Sequence, residues 1–347
     1  MIREINIQDL PELANPVLVD VRSEGEFAEA TIPGAINLPL LDNAERAEVG
    51  TIYTQVSRAR ARELGLSLVS PKLPALVKTA QELGEHGPLV MFCWRGGMRS
   101  LALTQVLDLM GIPVYRLLGG YKAYRKQVLN FFQGGFPFQV VVLRGNTGVG
   151  KTEMLGRLRQ EGYPAIDLEG LANNRGSVFG DVGLGAPPSQ KAFEGLLYEE
   201  FRHFNGWPYI IVECESKRIG RVTLPQNFFR AMQEGTQILM YDDITNRVRR
   251  LRDEYTALPQ AFVEIRQALQ RLVKTLGHDK VNQLNRLLDE DEDEFTRQLL
   301  VDYYDPLYAY PNEPHSGYAA CLNYAYPESV ARELGEYLDK HFGSAER

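Results

Sequence analysis

The sequence predicts two α/β domains in series, each built on a parallel sheet, with a helical extension closing the second. Three observations lead there. Short apolar runs alternate with helical patterns in both halves of the 347-residue chain, a length that suits two domains. A cysteine loop and a glycine-rich loop each follow such a run directly, about fifty residues apart. Residues 133–137, Gln-Gly-Gly-Phe-Pro, read as a linker, so the domains are expected at 1–130 and 131–347.

The elements follow in order. Residues 16–21, Pro-Val-Leu-Val-Asp-Val, read as a short buried strand ending in an acid. Residues 89–92, Leu-Val-Met-Phe, form another that runs straight into Cys93. From Ser100 the pattern turns helical, with Leu101, Leu103, Val106, Leu107 and Met110 at three- and four-residue spacing until Gly111 stops it. Residues 114–117 are a further strand, closed by Gly119 and Gly120. The second half restarts with a strand at 139–143, a glycine loop and a helix over 152–160. Strands at 209–212, ending at Glu213, and at 237–241 come next, and beyond residue 244 the pattern is mostly helical. The six consecutive acids at 289–294 read as a solvated helix entry or loop.

Composition narrows the class. Apolar residues at 44% and charged residues at 24% are ordinary for a soluble globular protein, and no run of eighteen apolar residues predicts a membrane span. The start, Met1-Ile2-Arg3-Glu4, lacks the basic-then-apolar pattern of a secretory leader, so a cytoplasmic location is expected. Three widely spaced cysteines, Cys93, Cys214 and Cys321, fit free thiols in a reducing compartment. They and the five histidines show no zinc-ligand spacing, and no metal is firmly assigned. The net charge of −7 falls in the second part, because residues 1–130 are balanced. A nonspecific nucleic-acid binder is not acidic. Local basic stretches nevertheless occur at Arg58, Arg60 and Arg62, at Lys217, Arg218 and Arg221, and at Arg247, Arg249, Arg250 and Arg252. Each alone suits a solvated helix face; together they leave room for a local RNA-binding face.

The first chemical motif is Cys93-Trp94-Arg95-Gly96-Gly97-Met98-Arg99-Ser100. A thiolate is the useful form of cysteine, and a loop between strand and helix favours it with inward N–H groups, the helix N-terminus and the charges of Arg95 and Arg99. Gly96 and Gly97 let the backbone close around an anion. A persulfide, a selenide or an oxyanion suits such a cradle.

The second motif is Gly145-Asn146-Thr147-Gly148-Val149-Gly150-Lys151-Thr152, a P-loop. Its glycines permit an anion-binding nest, Lys151 reaches terminal phosphates and the Thr152 hydroxyl suits Mg²⁺. Asp167 and Glu213 are both candidates to assist Mg²⁺. Arg247, Arg249 and Arg250 stand where helical lids of small kinases carry phosphate-contacting arginines, or form a charged helix face. Residues 167–180, rich in Asn, Gly, Ser and Arg, read as a substrate loop with Asn174, Arg175 and Ser177 as candidate contacts. Trp94 and the tyrosines Tyr303, Tyr304, Tyr308 and Tyr310 suit base stacking, an apolar substrate pocket or core packing.

The segment Asp20-Val21-Arg22-Ser23-Glu24-Gly25-Glu26-Phe27, then Ile32-Pro33-Gly34-Ala35-Ile36-Asn37-Leu38-Pro39, the Cys93 loop and Leu118-Gly119-Gly120 together resemble a rhodanese domain. Most rhodaneses have histidine where Thr31 stands. Arg99 lies six positions after the cysteine, the C-x5-R spacing of rhodanese-fold dual-specificity phosphatases, which implies a wider pocket. Such a domain, fused to this P-loop, the 167–180 segment and the strand Ile210-Ile211-Val212-Glu213-Cys214-Glu215-Ser216, resembles the bacterial tRNA 2-selenouridine synthases. That family usually has histidine at the position of Asn174.

The resemblance implies conversion of 2-thiouridine to 2-selenouridine at the wobble position of tRNAs, with Lys, Glu and Gln acceptors expected. It implies no tightly bound cofactor, selenophosphate and geranyl diphosphate as co-substrates, Mg²⁺ as a companion of the phosphates, and a selenophosphate-supplying enzyme as partner. Cys93 is expected to hold selenium and the P-loop the diphosphate of the prenyl donor. A rhodanese-fold phosphatase, a persulfide sulfurtransferase with a nucleotide-sensing P-loop and a nucleotide kinase with a vestigial rhodanese domain remain rival readings.

Overall fold

The computed structural model describes residues 2–256 and 261–343. The chain divides into two units, one of Met1–Phe131 with Glu194–Leu196 and one of Phe132–Phe193 with Leu197–Arg347.

The first unit holds five strands: β1 (Arg3–Ile5), β2 (Val17–Asp20), β3 (Ile36–Asn37), β4 (Leu89–Phe92) and β5 (Val114–Leu117). They pair in parallel in the order β1-β5-β4-β2-β3. β4 is central and buried at every residue, as a continuous apolar run requires of a parallel sheet. Val19, Val21, Met91, Leu103, Leu107 and Val114 meet in its core. The strand at 16–21 and those at 89–92 and 114–117 therefore form where the apolar runs placed them. β2 ends in the fully buried Asp20, which Arg22 holds through paired hydrogen bonds. The Thr31 hydroxyl donates to the same carboxylate at 2.9 Å, so this residue completes a buried polar cluster at the usual histidine position.

Two helices of this unit, Asn43–Gln55 and Arg58–Val69, bury no side chain and Ala61 alone, respectively. A hydrophobic period is absent because these helices have almost no core face. Their starts are nevertheless chemically marked: Asp42 and Glu45 form a capping box, and Ser57 caps Arg60.

The second unit begins with Phe136 and Phe138 packed against Phe201, which anchors the expected linker segment in this core. Its sheet contains β6 (Gln139–Arg144), β7 (Ala165–Ile166), β8 (Tyr209–Glu213), β11 (Thr236–Tyr241) and β12 (Ala320–Asn323), with the short hairpin β9 (Arg218–Ile219) and β10 (Val222–Thr223) beside it. The order β12-β11-β6-β8-β7 is parallel throughout. The helix Lys151–Gln160 follows β6 and buries Met154, Leu155 and Leu158 against the sheet. A second core joins the helices Ile244–Thr256, Ala261–Arg271, His278–Glu290 and Glu292–Leu299 through Val248, Ile265, Leu269, Leu284 and Phe295. The acidic run at 289–294 ends one of these helices and starts the next, where the Asp291 side chain caps Glu294. Acids at a helix N-terminus are favoured by its partial positive charge. β12 breaks the helical tail: this four-residue edge strand returns the chain to the sheet before the helix Pro327–Phe342.

Candidate functional sites

Cys93 stands directly after the central strand β4, at the carboxyl edge of the sheet where parallel α/β folds bind ligands. The thiol is buried, with Sγ accepting the Gly97 N–H at 3.2 Å and lying 3.3 Å from Ser100 Oγ. The helix Met98–Leu109 opens just behind it. The Leu118-Gly119-Gly120 segment has a physical role in this cradle. Tyr121 N and Lys122 N, at the start of the helix Gly120–Gln133, donate to the carbonyls of Cys93 and Trp94 at 2.9 Å each. A Cβ on Gly120 would stand 2.1 Å from Cys93 O and 2.4 Å from Gly96 N, so only glycine lets the two segments approach. Gly96 itself has φ +62°.

The side chains of the loop diverge. Trp94 and Met98 are exposed at 37% and 54%, and Arg95 is also exposed. Trp94 leans on Tyr121, whose ring carries the buried Arg22 guanidinium at 4.5 Å. Arg99 is held by Glu26, with Nη1–Oε2 at 2.5 Å and Nη2–Oε1 at 3.1 Å. Burial would raise the Glu26 carboxyl, but the Arg99 hydrogen bonds and charge, with Arg46 beyond, hold it below the usual range.

The P-loop joins β6 to the helix Lys151–Gln160. Gly148 and Gly150 adopt φ +76° and +93°, and Gly150 lies against Tyr324, where a Cβ would be 2.2 Å from the ring. Lys151 Nζ donates to Gly145 O at 2.9 Å, folded back over the nest. Asn146 and Val149 are buried: Asn146 ties the loop to Tyr310 O and Asn312, while Val149 joins the core. Arg247, only 2% exposed, donates to Thr147 O at 2.9 Å and pairs with Asp305. Arg250 donates to Gly148 O at 3.2 Å and pairs with Asp242. Arg247 is thus a strut behind the loop, while Arg250 braces it and also reaches the cleft above; Arg249 of that stretch is the exposed one.

A cleft of about 840 Å³ opens over the nest. Lys151, Thr152, Arg175, Ser177 and Arg250 line it beside Glu169, Cys214, Glu215, Leu307, Tyr308 and Tyr310. Leu307 and Tyr308 are exposed at 59% and 39%, so one wall is apolar. The tyrosines split by role. Tyr304 is buried and donates to Ser177 Oγ, whereas Tyr308 and Tyr310 continue a nearly parallel ring series into the cleft wall.

Asp167, Asn174 and Glu213 do not line the cleft; they hold the 167–180 segment beside it. Asp167 caps the helix Leu168–Ala172 through Gly170 N. Asn174 accepts the Gly176 N–H and is packed against Gly180 and Gly220, which have no room for a Cβ. Glu213 is fully buried and accepts the Glu169 N–H at 2.8 Å. Arg175 pairs with Glu254 and donates to Val182 O at 2.7 Å. Sequence reasoning missed Glu169 and Glu215. The clue to Glu215 was the alternation Glu213-Cys214-Glu215 at a strand end, with the acids two residues apart. Thr152 Oγ1 donates to Glu169 at 3.5 Å. Burial pushes Glu169 well up, with the Glu215 and Glu213 charges adding to it and Lys151 opposing. Burial also raises Glu215, and buried Glu213 is raised strongly beside Asp167.

A cysteine cradle on one parallel sheet and a phosphate nest on another define a rhodanese-like domain joined to a P-loop domain. Family comparison agrees: residues 6–127 match the rhodanese-like domain, and residues 138–323 match the tRNA 2-selenouridine synthase AAA domain. The chain is 36% identical over 329 residues to the tRNA 2-selenouridine synthase of Hydrogenovibrio crunogenus, covering 86% of this chain and 90% of the relative. The enzymes of the same name from Cupriavidus necator and Pseudomonas syringae pv. syringae are 35% and 33% identical. Those matches cover 87% and 90% of this chain, and 89% and 91% of the relatives. The chain belongs to the tRNA 2-selenouridine synthase family.

Proposed function

We propose that this enzyme converts 2-thiouridine at the tRNA wobble position to 2-selenouridine through an S-geranylated intermediate. The observation that carries the intermediate is the composition of the cleft: a phosphate nest with Lys151 at one end and the exposed Leu307 and Tyr308 at the other. That pairing suits an amphiphilic diphosphate such as geranyl diphosphate. The thiocarbonyl sulfur attacks C1 of the geranyl group; the C–O bond to diphosphate breaks and the diphosphate leaves. Lys151 and the loop N–H groups stabilise the charge that accumulates there. Alkylation turns the sulfur into a leaving group, and a selenium nucleophile at C2 then expels geranyl thiolate. Cys93, in its N–H and hydroxyl cradle, handles the selenium that selenophosphate supplies. Thr152, Glu169 and Glu215 are the hard oxygen donors that would hold Mg²⁺ together with substrate phosphates, where it would neutralise phosphate charge. The exposed Arg58, Arg60 and Arg62 offer a cationic strip for tRNA phosphates.

Mass spectrometry of nucleosides from a 2-thiouridine tRNA tests this. With geranyl diphosphate and selenophosphate, geranylthiouridine and then selenouridine are expected. Cys93→Ser stops at the geranylated nucleoside, and Lys151→Ala stops before it. Selenation at the full rate without any prenyl donor would remove the intermediate from the scheme.

A further inference from the structure

The helices Asn43–Gln55 and Arg58–Val69 form a hairpin that contributes almost nothing to the core: between them only Ala61 is buried. Local contacts hold it instead. Both helices are capped at their starts, and at the tip the N–H groups of Val56 and Ser57 donate to Ile52 O at 3.0 and 2.9 Å. The base of the hairpin is tied to the helix Glu24–Glu29, whose Glu26 holds Arg99 of the cysteine loop. Asn43 Oδ1 accepts the Gly25 N–H at 2.8 Å, and Arg46 Nε lies 3.6 Å from Glu26 Oε2. From Asn43 to Tyr53 the helix rises about 15 Å, the length of roughly four stacked nucleotides.

The far end carries the chemistry of an RNA contact. Residues 49–62 contain three arginines and no acid, and Arg58, Arg60 and Arg62 are all exposed. Glu63, the next acid along, pairs with Arg60 at 3.4 Å with both side chains exposed, a pair that phosphate readily replaces. Tyr53 is 46% exposed, and Arg58 Cζ lies 5.5 Å from its ring centroid, so an aromatic face and a guanidinium stand together.

We propose that this hairpin is an arm that grips the anticodon loop beside the wobble nucleotide. Tyr53 stacks on an unpaired base, and the three arginines meet the phosphates next to it. The inference rests on the tRNA reading above and adds the face that holds the RNA. In that scheme C2 of the wobble uridine comes to the selenium at Cys93, and the arm holds neighbouring nucleotides of the same loop a helix length away. Stacking needs a base with a free face, which a loop offers and a duplex does not, so the arm selects loop over stem.

Equilibrium binding to the full-length protein, without prenyl or selenium donor, tests the arm apart from the chemistry. The probes are an anticodon stem-loop with 2-thiouridine at the wobble position and a fully paired duplex of the same length. Tyr53→Ala is expected to weaken stem-loop binding about tenfold and to leave duplex binding and the salt slope unchanged, whereas Tyr53→Phe keeps the parent's affinity. Arg58→Gln/Arg60→Gln/Arg62→Gln should lower the slope of log affinity against log salt by about 2, at ~0.7 for each single-strand phosphate. These side chains are exposed, so melting temperatures should match the parent's. If Tyr53→Ala does not fold, Tyr53→Leu, which keeps bulk without the ring, carries the same expectation. Unchanged stem-loop affinity in the tyrosine variant, an equal loss on the duplex, or an unchanged slope in the triple variant overturns the arm and leaves the tRNA reading standing. A parent that does not bind the stem-loop overturns both.

Discussion

Arg247 offers the sharpest test of how the P-loop is held. The sequence allowed a phosphate-contacting lid residue or a charged helix face; the structure makes it a buried strut. Its guanidinium pairs with Asp305 at 2.5 and 3.0 Å and donates to Thr147 O at 2.9 Å. Arg247→Met keeps most of the side-chain bulk and removes the charge. Breaking a buried ion pair from one side typically costs 3–5 kcal/mol, because the other charge is left without its partner. Asp305 is 23% exposed and can rehydrate in part, which places the expected loss near the lower end, about 3 kcal/mol. For a unit of this size that lowers the melting temperature by roughly 6–12 °C. Asp305→Asn should cost less, and the double variant much less than the sum, with a coupling of about 2 kcal/mol. Chemical denaturation gives the free energies, and calorimetric titration with pyrophosphate gives binding. A strut predicts lost stability with a modest loss of affinity where the variant is folded. A tens-fold loss of pyrophosphate affinity at unchanged stability would show that Arg247 touches phosphate, and the strut argument would fail.

Three further outcomes follow from the same geometry. Gly120→Ala puts a methyl 2.1 Å from Cys93 O at a residue with φ +56°; it should cost about 2–4 kcal/mol and slow iodoacetamide alkylation of Cys93, measured on the folded fraction. Gly150→Ala drives a methyl into the Tyr324 ring and should abolish pyrophosphate binding, whereas Gly156→Ala, on the same helix with open space, should not. Glu213 carries a folded-state pKa above its unfolded value, so folding takes up a proton and stability falls as pH rises between the two. Glu213→Gln, which keeps an acceptor for Glu169 N–H, should therefore match the parent at low pH. At higher pH it should be the more stable of the two, seen as a difference in melting temperature that grows with pH; a difference that shrinks with pH contradicts the assignment.

What the sequence revealed and what it hid have physical causes. β4, β6 and β8 were legible because a strand covered on both faces must be apolar along its length, and such runs are hard to mistake. The two loops were legible because anion nests require glycines and a positioned lysine or cysteine, a pattern that composition seldom produces. The helices Asn43–Gln55 and Arg58–Val69 left almost no trace because a helix without a core face has no hydrophobic period. β12 was hidden because an edge strand of four residues carries too few side chains to show alternation. Side-chain direction was the deepest loss. Arg99 read as a cation offered to a ligand, and Arg247 as either that or part of a charged helix face, since a sequence shows a charge beside a loop but not the carboxylate that meets it. Glu26 lies 73 positions from Arg99, and Asp305 lies 58 from Arg247. Both carboxylates convert an apparent ligand contact into part of the scaffold. Arg247 shows the consequence: its guanidinium meets the carbonyl of Thr147, so a cation that looks like a ligand contact braces the phosphate nest from behind.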